Sequence, residues 1–408
     1  MNLGFYTILV AQFLSALADN SLLFAAIALL KEAHDPNWYT PVLQEFFIVS
    51  YILLAPFVGA FSDALSKGRV MFLCNNIKLG GCIAMLTGVH PLISYAIVGL
   101  GAAGYSPAKY GILTEYLPAE KLVAANAWME GATVFAIILG ALLGGVLLNP
   151  HFSATLMAHL AWHGDADIAK IAILFVALLY VAAAIFNLFI PVTAPDHTTP
   201  NRNPVALVRD FWASFVQLWR DPLGQVSLAV TTLFWGAGAT LRLVVLAWAL
   251  ITLHFSMQQA SQLTALVALG IAVGAVIAGE FVRLQDSVRV ISTGIVMGIV
   301  VMSMAAVHTA IGAGILLTII GILGGFFVVP MNALLQHRGH LLMGAGHSIA
   351  VQNFNENLSI LFMLGLYALL DHAGLSVDII TVIFGAFISL SMLIIRIHFR
   401  HIDPEQHQ

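Results

Sequence analysis

Asp19, Arg242 and Glu356 are charged residues set deep inside long apolar runs, and that setting limits the chemistry open to them. An ionisable side chain in such surroundings costs several kcal/mol, so it needs a partner or a task. The planar fork of an arginine grips a phosphate or other anion with two parallel hydrogen bonds, while a carboxylate receives a cation. Arg242 with Asp19 or Glu356 would therefore suit the two ends of a zwitterion. A structural bridge between Asp19 and Arg242 is the alternative, and the spacing does not decide between them. Asn20, Asn353, Asn355 and Asn357 can extend a polar lining or join helices by hydrogen bonds. Lys78 and Glu130 are secondary candidates that can pair with each other or face a cavity. Lys109 can anchor at an interface, recognise a headgroup, or pair with Asp63 or Glu115. Glu280 and Arg283, three apart, are expected to form a local ion pair.

The elements that must carry these residues follow from composition. The 408 residues are 60% hydrophobic and only 9% charged, too few charges for the surface of a soluble protein of this size. Apolar runs of about 20 residues, the length that crosses a bilayer core, recur along the whole chain. They predict spans near 4–31, 42–62, 70–88, 91–112, 122–148 and 168–192, then 223–252, 258–283, 286–309, 311–335, 344–371 and 374–397. The expected fold is thus all-α and integral to the membrane, with twelve transmembrane helices. Asp19 and Arg242 each fall about 18 Å from the outer end of their span, near the midplane. The first span lacks a basic leader and a small-residue cleavage site, and is expected to be retained as a helix.

Positive charge sets the expected orientation. Alternate connections hold Lys67, Arg69, Lys121, Arg202, Arg209, Arg220, Arg283, Arg289, Arg338, Arg396 and Arg400, against Lys31 and Lys170 on the other side. Both termini and the central linker should therefore be cytoplasmic.

The fourth and tenth spans align as GLGAAGYSPAKYGIL and GILGGFFVVPMNALL, with Pro107 and Pro330 offset by 223 residues. The match runs on into NAWME and QNFNE, whose Glu130 and Glu356 are offset by 226 residues. A near-constant offset across two helices implies duplication. The expected halves are residues 1–192 and 223–397, with a substrate site between them near the midplane, a linker over 193–222 and a tail over 398–408. Within the linker, Val205, Val208, Phe211, Trp212, Phe215, Leu218 and Trp219 recur at helical spacing opposite Arg202, Arg209 and Arg220. That pattern predicts an amphipathic helix on the cytoplasmic leaflet.

Other functions find no support in the residues. Sixteen basic residues in a chain of net charge −4 supply no cationic face for nucleic acid. Cys74 and Cys82, about 12 Å apart along one helix, are too distant for a disulfide and read as packing residues. The fifteen histidines have no metal-ligand spacing, His398 and Asp403 only mimic an acyltransferase HxxxxD spacing, and no Walker loop is present. Without a nucleophile–base or metal constellation, the chain is expected not to be an enzyme and to need no cofactor.

Between the second and third spans, GAFSDALSKGRV places Gly59, Asp63, Lys67, Gly68 and Arg69 in a pattern that resembles the GxxxD(R/K)xGR(R/K) loop of the major facilitator superfamily. A small residue for close helix approach, an acid that can pair or cap, and cations at the leaflet make physical sense as a gating latch. Together with AQFLSALADNSLLFA, GAAGYSPAKYGIL, LFWGAGATLR, GFFVVPMNALLQ and AVQNFNEN, this loop makes the chain resemble, nearly end to end, the lysophospholipid transporter (LplT) family of that superfamily. The departures are a short N-terminus without basic residues and a longer, histidine-bearing loop over roughly 149–167.

The resemblance implies residence in the bacterial inner membrane and flipping of lysophosphatidylethanolamine and lysophosphatidylglycerol from its outer to its inner leaflet. It also implies a partner acyltransferase/acyl-carrier-protein synthetase that reacylates them, and a substrate role for Asp19, Asn20, Lys109, Arg242 and Glu356. A cation-coupled exporter of amphipathic drugs, or a small-solute symporter of the same fold, is the alternative, with Asp19 or Glu356 carrying the proton.

Overall fold

A computed structural model describes residues 1–36, 39–149, 167–193 and 203–399. Thirteen α-helices occur among the described residues. The first six are α1 (Leu3–Glu32), α2 (Tyr39–Ala64), α3 (Lys67–Leu86), α4 (Pro91–Tyr116), α5 (Leu122–Leu147) and α6 (Ile168–Leu188). The short α7 (Pro204–Arg220) precedes α8 (Pro222–Ile251), α9 (Met257–Phe281), α10 (Ile291–Met302), α11 (Ala310–Met343), α12 (Ala345–His372) and α13 (Val377–His398). No strand occurs among the described residues.

Among the described residues, ten segments are long and apolar enough to cross a membrane. The helices α4 and α12, of 26 and 28 residues, are as long but more polar, and with them each of the twelve expected spans has its helix. Large apolar side chains such as Leu53, Leu142, Phe362 and Ile394 lie exposed on these helices, a surface suited to hydrocarbon and not to water. The protein is therefore a multi-pass membrane protein.

Helix ends obey local chemistry. Asn2 accepts from the Phe5 amide at 3.1 Å to start α1, and Ser256 and Gln259 form a reciprocal capping box at α9. Asp221 accepts from Gly224 at 2.8 Å, with Pro222 in the first turn where its missing N–H costs nothing. Gly344, at φ 93°, is the single residue separating α11 from α12.

Two expectations need correction. The span expected at 311–335 continues as helix to Met343, because no glycine or proline interrupts it before Gly344 except Gly339, which helix tolerates. The ninth span is composite, with 3-10 turns at Leu284–Val290 and Ser303–Ala306 flanking α10. The linker stretch 194–202, the histidine-bearing loop 150–166 and the tail from 400 lie outside the described residues.

The chain forms two compact units, one of residues 1–112 with 135–208 and one of 113–134 with 209–408. In the first, α6 packs against both α1 and α3 around Leu22, Ala26, Met85, Val176 and Tyr180. In the second, α9 lies along α11 at backbone contact. A Cβ on Gly274 would come within 2.0 Å of the Ile322 carbonyl oxygen, and one on Gly325 within 2.1 Å of that of Ile271. Gly270 and Gly321 meet in the same way, so two small-xxx-small pairs face each other along one seam. Larger apolar residues, among them Trp248, Phe327, Met363 and Phe384, fill the rest of this unit.

Candidate functional site

Asp19 sits on α1 one helical turn beyond Ser15, and α3 presents Asn75 and Lys78 toward the same place. The Lys78 ammonium donates to Asp19 Oδ2 at 2.7 Å and to Ser15 Oγ at 3.1 Å. Ser15 donates in turn to Asn75 Oδ1 at 2.8 Å, and the Tyr180 hydroxyl from α6 donates to Asp19 Oδ1 at 2.6 Å. Two aromatic faces complete the surroundings of the ammonium, with the ring centres of Tyr105 on α4 and Tyr180 at 4.7 and 5.7 Å. Four helices thus converge on one ion pair, whose lysine side chain is 1% exposed and whose aspartate is 23% exposed.

Within this unit the ion-pair partner of Asp19 is Lys78, a pairing that the sequence reading did not weigh. The cation comes from α3, which packs on α6 as α1 does. Ser15, Asn75, Tyr105 and Tyr180 were not singled out from sequence. The spacings Ser15–Asp19 and Asn75–Lys78 carried a signal, as each pair shares a helix face, whereas nothing local marks Tyr180.

Arg242, on α8, is exposed and makes no hydrogen bond or ion pair with the described residues. Asn20 donates to the Ala16 carbonyl at 2.8 Å and stands where α5 passes closely, since a Cβ on Gly140 would meet its own at 2.6 Å. Lys109 is half-buried with its ammonium 4.4 Å from the Tyr110 ring centre.

A second polar group occupies α11 and α12. Gln352 donates from Nε2 to both Glu356 Oε1, at 2.7 Å, and Asn332 Oδ1, at 3.0 Å. Glu356 is buried, as are Glu130, Asn353 and Asn355. Asn355 accepts from the Trp219 indole at 3.3 Å, which ties α7 to the residue beside Glu356. The rings of Phe211, Trp212 and Phe215 close around Phe354 on the same helix.

The loop of Gly59, Asp63, Lys67, Gly68 and Arg69 is a tight turn, with Gly59 and Asp63 in α2 and the other three opening α3. Asp63 accepts from Lys67 at 2.7 Å, and Lys67 also donates to the Ser62 carbonyl at 2.9 Å. Gly68 lies against the end of α6, where a Cβ would stand 3.1 Å from the Asn187 carbonyl oxygen. Arg69 is exposed. The expected Glu280–Arg283 pair is absent, because α9 stops at Phe281 and Val282 is extended, so the two no longer share a helix face. Arg289 pairs with Asp286 instead, at 2.6 Å.

A polytopic helical protein with buried charge clusters has the make-up of a membrane transporter. Residues 8–362 match the family model of the Major Facilitator Superfamily. The chain is 44% identical to the lysophospholipid transporter LplT of Citrobacter koseri, over 95% of this chain and 94% of that one. It is 45% identical to that of Yersinia enterocolitica, over 92% and 89% of the two chains. Among solved structures it superposes on a human organic anion transporter with a TM-score of 0.73 at 17% identity, over 97% of this chain and all of that one. An outward-facing bacterial homologue of the iron transporter ferroportin gives 0.75 at 13% identity, over 98% of this chain and all of that one. These two likenesses establish the fold alone. The chain belongs to the Major Facilitator Superfamily and, within it, to the LplT family.

Proposed function

We propose that this protein carries lysophospholipids, among them lysophosphatidylethanolamine and lysophosphatidylglycerol, from the outer to the inner leaflet of a bacterial inner membrane. The observation that carries this reading is the likeness of more than nine-tenths of the chain to transporters named for that substrate. The chemistry of the buried residues agrees with it. A lysolipid brings a phosphate, in some cases an ammonium, and one acyl chain. Arg242, exposed and without a partner among the described residues, is available for the phosphate. Asp19 and Glu356 are the carboxylates for an ammonium, with Asn20, Lys109, Asn353 and Asn355 as polar support. Glu130 stands as a further acid of the same class. In this reading the turn from Gly59 to Arg69 works as a latch, and α7 rests on the cytoplasmic leaflet with both termini on that side. The two halves are residues 1–192 and 223–397. An acyltransferase/acyl-carrier-protein synthetase would consume the product.

Uptake of labelled lysophosphatidylethanolamine into spheroplasts of a transporter-deficient strain tests this, with the lipid form read by chromatography. The reading expects uptake with the wild-type chain, and reacylation only where the acyltransferase is present. Absence of uptake by well-expressed protein would overturn it.

A further inference from the structure

Lys78 is an ammonium on a four-carbon tether, held in surroundings built for an ammonium. Two of its donors go to Asp19 Oδ2 at 2.7 Å and Ser15 Oγ at 3.1 Å. The Tyr105 and Tyr180 rings stand 4.7 and 5.7 Å from the same nitrogen, within the range at which an aromatic face attracts a cation. We propose that Asp19, Tyr105 and Tyr180 form a receptor for a primary ammonium, and that Lys78 is its tethered occupant, displaced by the ammonium of an ethanolamine headgroup. For the identity of the headgroup this rests on the function proposed above; the receptor itself rests on the geometry.

Three features favour exchange over a permanent bridge. The carboxylate is 23% exposed while its lysine is 1% exposed, so an incoming cation can reach Asp19 without first reaching Lys78. Lys78 also has a second seat. Ser15 already accepts from it, and the buried hydroxyl of Tyr105, whose ring stands 4.7 Å from the ammonium, has no hydrogen-bond partner among the described residues. A lysine turned away from Asp19 can therefore remain hydrogen-bonded, which avoids stranding a charge in the interior. The long flexible stem of lysine allows that shift, where a planar guanidinium would not.

The donors define the ligand class. A primary ammonium offers an N–H to Asp19 and keeps a face for the rings, whereas a quaternary ammonium has no N–H to give. A glycerol headgroup brings no cation, so Lys78 must stay on Asp19 when lysophosphatidylglycerol binds. Lys78 thus sets headgroup preference: it opposes the ammonium-bearing lipid by competition, and admits the anionic one by neutralising the carboxylate.

The test is equilibrium binding of both lysolipids to the purified full-length protein in nanodiscs, for wild type and Lys78→Gln. Lys78→Met, which keeps the aliphatic stem, serves if the amide variant is unstable. Loss of the competitor should raise the preference for lysophosphatidylethanolamine over lysophosphatidylglycerol about tenfold, the scale of one charged hydrogen bond. An unchanged ratio, or equal loss of both lipids, overturns the exchange.

Lys78→Ala provides a readout free of lipid. The deleted atoms are those of propylammonium, so millimolar propylammonium should raise the thermal stability of Lys78→Ala, with no effect on wild type and none from tetramethylammonium. Equal effects of the two amines would overturn the receptor. If wild type binds neither lysolipid, the proposed substrate fails, and the propylammonium result alone decides the receptor.

Discussion

Asn126 and Gln336 exchange two amide hydrogen bonds, Asn126 Nδ2 to Gln336 Oε1 at 2.9 Å and Gln336 Nε2 to Asn126 Oδ1 at 2.8 Å. The pair joins the first turns of α5 to the far end of α11, and both side chains are buried. It ties residues 113–134 into the compact unit formed otherwise by the second part of the chain. Each amide satisfies the other, so a single truncation leaves a buried donor and acceptor unmet.

Asn126→Leu or Gln336→Leu alone should therefore cost about 1–2 kcal/mol of stability, while the double substitution recovers part of that loss. Thermal unfolding in detergent, arranged as a double-mutant cycle, measures the coupling. Strictly additive losses would show that the two amides do not act as a pair.

The α9–α11 seam makes a sharper steric prediction. Gly274→Ala places a methyl group 2.0 Å from the Ile322 carbonyl oxygen, a backbone atom that cannot turn aside. The two helices must part, and the substitution should cost about 1–3 kcal/mol, as overpacking does. Gly365→Ala, where nothing lies within 4 Å of the added carbon, should be neutral or gain up to about 1 kcal/mol from helix propensity. Comparing the two melting temperatures checks this, and similar values would contradict the close approach.

Arg242 and Lys78 should separate function from stability. Arg242 has no partner among the described residues, so Arg242→Ala should leave the stability, read from thermal melts, within about 0.5 kcal/mol of wild type. The same variant should abolish lysolipid uptake, and Arg242→Lys should restore only part of it because the bidentate geometry is lost. Lys78→Ala, in contrast, strands Asp19 and should destabilise the protein clearly. Full uptake by Arg242→Ala would remove Arg242 from the headgroup site.

Much of this organisation was legible in the chain, because hydropathy over 20-residue windows acts on whole helices and tolerates local error. The Pro107 and Pro330 repeat and the turn from Gly59 to Arg69 were legible for a similar reason, being patterns of spacing within one or two helices. The partner of Asp19 was not. It depends on which faces of α1, α3, α4 and α6 turn toward each other, a tertiary choice that leaves no trace at positions 105 or 180 taken singly. Glu280 and Arg283 failed in the opposite way: their spacing suits a helix, but the helix ends between them.

Asp221 performs two tasks that one substitution can divide. Its Oδ1 caps α8 by accepting from Gly224 at 2.8 Å, and the carboxylate also receives Arg338 in a fork, with contacts of 2.9 Å from Nε and 2.7 Å from one terminal nitrogen. Asp221→Asn keeps an oxygen for the cap and loses the charge, whereas Asp221→Ala loses both. The alanine variant should therefore be less stable than the asparagine one by about 1 kcal/mol, the usual worth of an N-cap. Arg338→Lys should fall between wild type and Asp221→Asn, because an ammonium keeps the charge and gives up the second parallel bond. Thermal melts of the three variants test that order; an asparagine variant as unstable as alanine would mean that the fork, and not the cap, holds the start of α8.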